Sequence, residues 1–244
     1  MRSGLSAEGL GDHRTGDILA LAERAGLQSI EWSGDAQSLS GDRRRAAELG
    51  SRTRDAGLVV GGYRTPYRVG IDEQDDALVD EALALGARRI RVRAGLIGAG
   101  EADEATWRFV IRALRGLAAR ASDVGIGVGI GMYPDSLADC VETASLLVER
   151  VGEPTVRLYW SPPRFEPAGT ALRGLYASLP LVCAVEAPVA GREPLAERSA
   201  LWERALRLVD GDDIDVLLQA DCAIASDPLV RDAAYLIDRQ RAVG

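Results

Sequence analysis

The stretch 28–37, QSIEWSGDAQ, sets Glu31 near the end of an apolar run and Asp35 just beyond it. The stretch 181–187, LVCAVEA, does the same with Glu186. Carboxylates in such places carry protons when a dry pocket raises their pKa. Glu31, Glu186 and Asp35 are therefore the expected catalytic acids and bases. Arg64 in GGYRTPYRVG and Arg93 in RRIRVRAG are the candidate anion clamps, because a guanidinium can bind a carboxylate or phosphate through two parallel bonds. Tyr63, Tyr133 and Trp160 offer flat walls with one polar handle each, and Gln219 adds a neutral hydrogen-bonding group. Together they describe a site for a small polar or anionic ligand.

Other chemistries are excluded by what the chain lacks. It has no lysine, so neither a lysine Schiff base nor a P-loop lysine is available. Its one histidine, His13, lies in GDHRTGD and reads as a loop or capping residue, so serine–histidine and cysteine–histidine pairs could form only through it. Cys140, Cys183 and Cys222 are far apart and make no zinc spacing, which fits buried thiols in a reducing compartment. The net charge of −8 disfavours nucleic acid as a partner. No apolar run reaches the roughly 18 residues of a membrane span. The opening MRSGLSAEGLGDH meets acid and histidine too early for a signal peptide. A cytoplasmic protein without membrane contact is expected, and a homo-oligomer is left open.

The elements that must position these groups alternate in type. RSGLSA, LQSIEW, LVVGGY, RRIRVRAG, IGVGIGM, TVRLYW, LVCAVEA and IDVLLQA read as strands. Helical patterns separate them, among them TGDILALAERAG, SGDRRRAAELGSRTRDAG with a capping serine, and EADEATWRFVIRALRGLAARASDVG. Eight strand–helix pairs and strands apolar on both faces imply one (β/α)8 barrel over 1–244. An open doubly wound sheet would want an early Gly-rich phosphate turn, which is missing. The alternating glycines of GIGVGIG permit close packing or leave room in a pocket.

In such a barrel the active-site mouth lies at the C-terminal strand ends. Ser6, Glu8, Tyr67, Arg68, Arg91, Asp135, Ser161 and Asp221 join the ring there. Arg91 and Arg93 share a parity and point the same way, and Arg93 is the expected partner of Glu31. Cys183 shares its parity with Val185, opposite Glu186, and is expected to be buried and inert.

With these residues in place the chain resembles the sugar phosphate isomerase/epimerase family, whose members are xylose-isomerase-like barrels. GLQSIEWSGD, GLVVGGYRTPYRVG, ALGARRIRVRAG, MYPDSLADCVETASLLVERV and YWSPP carry the resemblance by their order and spacing. It implies a divalent metal near the barrel axis. The ligand positions it implies, however, fall on Gly131, near Ser161, around Cys183 or Val185, and on Gln219. Tyr133 and Gln37 stand where relatives carry histidine. Such a set suits no hard divalent ion. No metal and no organic cofactor is expected.

Three functions follow. The first is a metal-independent isomerase, epimerase or lyase/cyclase acting by carboxylate acid–base chemistry on a small carbonyl metabolite. Here Glu31 exchanges a proton, Glu186 or Asp35 opposes it, and Arg64, Arg93 and tyrosine hydroxyls hold the oxyanion. The second is a non-catalytic binder or partner subunit. The third is a metal-dependent sugar isomerase or epimerase with ligands relocated to Asp135, Glu186 and Asp221.

Overall fold

The computed structural model describes residues 1–11, 13–34, 39, 41–73, 75–163, 166–189, 194–211, 213–220 and 226–243. Its strands are β1 (Arg2–Ser6), β2 (Ser29–Ser33), β3 (Val59–Arg68), β4 (Arg89–Arg93), β5 (Gly127–Ile130), β6 (Val156–Trp160), β7 (Val182–Val189) and β8 (Asp215–Ala220). All neighbours pair in parallel and β8 returns to β1, closing the barrel in sequence order. This is the (β/α)8 architecture that the alternation implies.

The helices pack outside. On α4 (Glu104–Asp123), Asp103 caps the first turn by accepting from the Thr106 N–H at 2.8 Å, and Trp107, Val110, Ile111, Leu114, Leu117, Ala118 and Ala121 form the buried stripe. On α2 (Arg43–Asp55) the cap is Asp42 rather than the expected serine, and its carboxylate accepts from the Arg45 N–H at 2.9 Å. Ser40 lies outside the described residues. No described helix is long and apolar enough to cross a membrane.

Polar groups are stacked in layers inside the barrel. In the lower layer Asp215 of β8 is fully buried, and binds Arg2 Nε at 2.9 Å and Arg89 Nη1 at 2.6 Å. The Ser29 hydroxyl donates to the same carboxylate at 3.4 Å. The inward face of β5 offers only glycine, and neighbouring side chains fill the space. A Cβ at Gly129 would overlap the Tyr159 ring, and one at Gly131 would stand 2.9 Å from Arg91 Nε and 2.7 Å from Tyr133 Cε2. The alternating glycines thus admit bulky groups from β4 and β6. Gly129→Ala is expected to cost about 1–3 kcal/mol, the range for overpacking a filled interior, measured by urea unfolding.

Three strand pairs carry register shifts, and the two at β2–β3 and β6–β7 bear on the barrel interior. The β2–β3 pairing slips between Ile30 and Glu31, which brings Gly62 alongside Glu31. The β6–β7 pairing slips between Leu158 and Tyr159. Cys183 consequently packs inside the barrel with Tyr159, Ala184 and Leu217, whereas Val185 belongs to the main core. The parity rule that grouped Cys183 with Val185 fails because a local slip breaks the strand's alternation. Its burial is as expected, with Sγ 3.4 Å from the Leu158 carbonyl oxygen, whereas Cys140, also expected to be buried, is exposed at the start of the helix Val141–Val151.

Candidate functional site

Directly above the lower layer, β2, β4 and β7 bring three charges together. Arg91 reaches from β4 across the barrel to Glu186 of β7. Its Nη2 donates to Glu186 Oε2 at 2.8 Å, and its Nη1 to Glu186 Oε1. The same Nη1 stands 3.5 Å from Glu31 Oε2, which also accepts from the Ser6 hydroxyl at 3.3 Å. The partner of Glu31 is therefore Arg91 and not Arg93. Arg93, one side-chain layer higher, pairs with Asp135 and donates to the Asp135 carbonyl at 3.2 Å. Expectation went wrong here because parity puts both arginines on one face without fixing which layer each reaches.

The two glutamates are electrostatically unequal. Burial pushes the Glu31 carboxyl up, and the Arg91 charge offsets this only in part, while the Glu186 charge adds to it. Burial also opposes charge on Glu186. There the Arg91 guanidinium, bonded to both oxygens, and Arg64 beyond it outweigh burial and hold the carboxyl below its ordinary value. Arg91 is bonded to both oxygens of Glu186 and Arg64 is paired with Glu8, so Glu31 has only the more distant contact with the Arg91 guanidinium.

Among the described residues, Glu31 Oε1, Arg91 Nε and the Tyr159 hydroxyl are three of the buried polar atoms that complete no well-formed hydrogen bond, and Tyr159 faces Glu31 closely enough to draw its carboxyl down slightly. The Glu31 oxygen and the Tyr159 hydroxyl flank one glycine, and Arg91 lies over the Tyr159 ring. A Cβ on Gly62 would lie 3.0 Å from the Tyr159 hydroxyl and 3.1 Å from Glu31 Oε1, and the Tyr159 ring lies 4.6 Å below Arg91 Cζ. Unpaired buried polar atoms are costly and rare. Burial drives the Tyr159 hydroxyl well above its ordinary pKa, so it remains a proton donor.

A roof separates this cluster from solvent. Glu31, Arg91 and Glu186 are 0%, 2% and 4% exposed. Tyr133 covers them, its ring centre 6.0 Å from Arg91 Cζ, 5.8 Å from Arg64 Cζ and 5.1 Å from Arg93 Cζ. The loop that carries Tyr133 is pinned by the Ser136 hydroxyl donating to the Tyr133 carbonyl at 2.9 Å and by the Leu137 N–H donating to the Ala94 carbonyl at 2.9 Å. Arg64, paired with Glu8, lies 3.9 Å from Glu186 Oε1, and Gln219 Nε2 donates to Glu8 at 2.8 Å.

Tyr133 also divides the mouth. On one side is a cleft of about 1270 Å³, with Tyr63, Arg64, Arg68, Arg93 and Tyr133 in its wall. On the other is a cavity of about 480 Å³, lined by Trp160, Ser161, Gln219, Trp202 and several prolines, with Tyr133 again in its wall. All six expected binding residues thus line one or the other space. Tyr63 does so with its hydroxyl turned outward to Glu81 at 2.8 Å, and Trp160 as a buried wall. Asp35, Gln37, Asp221 and Cys222 lie outside the described residues. His13 is exposed and lines neither space. Sequence reasoning placed Arg91 in the ring without a role and passed over Tyr159 in favour of its neighbour Trp160. The glycines at 62, 129 and 131 were the signal that inward space had been cleared for them.

The metal that the resemblance implies does not fit these residues. Gly131 has no donor, and the space before it is taken by Arg91 and Tyr133. Gln219 is bonded to Glu8, Cys183 faces a carbonyl, and Asp135 is paired with Arg93. Among the described residues, no three His, Cys, Asp or Glu side chains converge on a point that could hold an ion. The central position carries a guanidinium, which repels a second cation.

No family model matches the sequence, and neither does any curated protein. Solved structures match over nearly the full chain. A probable 3-DHS dehydratase, AsbF, involved in petrobactin synthesis from Bacillus anthracis, superposes with TM-score 0.80 at 15% identity, covering 97% of this chain and 99% of that one. An L-ribulose 3-epimerase gives 0.76 at 14% identity over 99% and 95%. The IOLI protein with a bound zinc atom gives 0.74 at 12% over 100% and 99%. A further match is a fusion protein whose own description names a xylose isomerase-like TIM barrel. These likenesses establish the fold as the xylose-isomerase-like barrel.

Proposed function

We propose that this chain is an isomerase, epimerase or lyase that moves a proton beside the carbonyl of a small polar or anionic metabolite, by carboxylate chemistry without a metal. The observation that carries this reading is a buried acid with its pKa pushed up, Glu31, flanked by the Tyr159 phenol and the Arg91 guanidinium. Arg91 Nε–H and the Tyr159 hydroxyl would hold the developing oxyanion. Glu31 would exchange the proton, since an acid and base catalyst works best with a pKa near the operating pH. Glu186, locked to Arg91 and kept ionised, serves in this reading as a fixed charge that positions the guanidinium. Likeness to dehydratase and epimerase structures is compatible with it at the level of fold. For substrate to reach Glu31, Tyr133 must move, and the two spaces it divides then become one.

The burial of the trio favours a second reading, a barrel that binds a ligand in its clefts without turnover. One experiment separates them. Candidate ketoses, keto acids and cyclic enones are incubated with the protein in deuterated water containing a chelator, and deuterium uptake beside the carbonyl is read by mass spectrometry. Uptake by wild type that disappears in Glu31→Gln is the expected result. A ligand that binds tightly and takes up no deuterium would instead establish the binder.

A further inference from the structure

We infer that Arg91 is the resident cation of this barrel: its guanidinium fills the space between Glu31 and Glu186, and removing it leaves a pair that takes up another cation. The claim stands on packing and charge, and it holds whether or not the site turns over a substrate.

Arg91 leaves β4 and crosses to β7, a path open only because the facing position just past the end of β5 is Gly131. A side chain there would meet Arg91 Nε at 2.9 Å. The residue that stands where a metal ligand is implied is thus the one whose absence admits the guanidinium. Once across, the guanidinium meets two carboxylates from two further strands, bidentate to Glu186 and 3.5 Å from Glu31. Two carboxylates converging from separate strands onto one central positive charge, with a hydroxyl (Ser6) bonded to one of them, form an oxygen shell. Such a shell accepts either a guanidinium or a hard divalent ion. Nothing else positive replaces Arg91. Arg64 is the nearest other cation, at 3.9 Å from Glu186 Oε1, and it is paired with Glu8. Glu31 and Glu186, left facing each other, repel unless a proton or cation comes between them.

The test uses full-length wild type and Arg91→Ala at pH 8, with melting temperature read against Mn²⁺, guanidinium chloride at low millimolar concentration, and sodium chloride at matched ionic strength. Wild type is expected to show no shift with any of the three. Arg91→Ala is expected to melt several degrees lower than wild type, and to recover part of the loss with Mn²⁺ or guanidinium but not with sodium, as binding to the folded state alone requires. Arg91→Gln, near in size and neutral, takes the same titration if the alanine variant does not fold. The wild-type arm also stands alone. An electron paramagnetic resonance titration that finds one tight Mn²⁺ per chain overturns the inference, as does an Arg91 variant indifferent to both cations. Turnover is read in no arm, so failure here and failure of the acid–base reading are separate outcomes.

Discussion

Glu186→Ala is expected to lose about 3–5 kcal/mol of folding stability, the cost of stripping one partner from a buried ion pair. Glu186 is 4% exposed and bonded through both oxygens to Arg91, which is 2% exposed. Without it the guanidinium keeps only Glu31 at 3.5 Å and a distant geometry. Urea unfolding at neutral pH reads the loss directly. The pH dependence gives an independent check. The folded carboxyl of Glu186 lies below its unfolded value of about 4.3. The stability it contributes is therefore complete above about pH 4.3 and disappears as pH falls through the lower, folded value. The alanine variant should lack that acid-side loss. A surface pair such as Arg44 with Glu48 offers the contrast: both are largely exposed, and removing either should change stability by less than about 1 kcal/mol.

Glu31→Gln is expected to behave in the opposite way. Its folded pKa is raised, chiefly by burial, so the folded state holds a proton that the unfolded state releases. Stability is then greatest below about pH 4.3 and falls as pH rises from there through the folded value. Glutamine keeps the shape and never ionises, so the variant should be at least as stable as wild type at neutral pH and more so in mild alkali. Its proton-transfer rate should fall by about 10²–10⁴-fold. A residue whose loss stabilises the fold and abolishes exchange is one held in place for chemistry. A variant that is less stable at pH 8, with exchange intact, would make Glu31 a structural acid.

Period and composition made the architecture legible. The buried stripe of α4 and the double-sided strands read directly as barrel elements, and the closed order follows from eight such pairs. The inward placement of Glu31 and Glu186 was also legible from their positions at the strand ends. What parity could not supply is depth and detour. Arg91 and Arg93 are alike in sequence, and only the height of each in the barrel decides that Arg91 meets the acids while Arg93 turns to Asp135. Tyr159 and Trp160 are adjacent, and the gap at Gly129 gives the tyrosine its room inside. Gln37, Asp35 and Asp221 were read as parts of the mouth and lie outside the described residues.

The central claim is that two buried glutamates a few ångströms from one guanidinium titrate on opposite sides of the ordinary carboxyl range. Carbon-13 NMR of the protein labelled at glutamate side-chain carboxyls, titrated across the acid and neutral range, measures this most directly. The predicted spectrum has one resonance titrating above the solvent-exposed glutamates that vanishes in Glu31→Gln, and one titrating below them that vanishes in Glu186→Gln. If both glutamates titrate with the exposed ones, or the two assignments are exchanged, the account of the site is wrong.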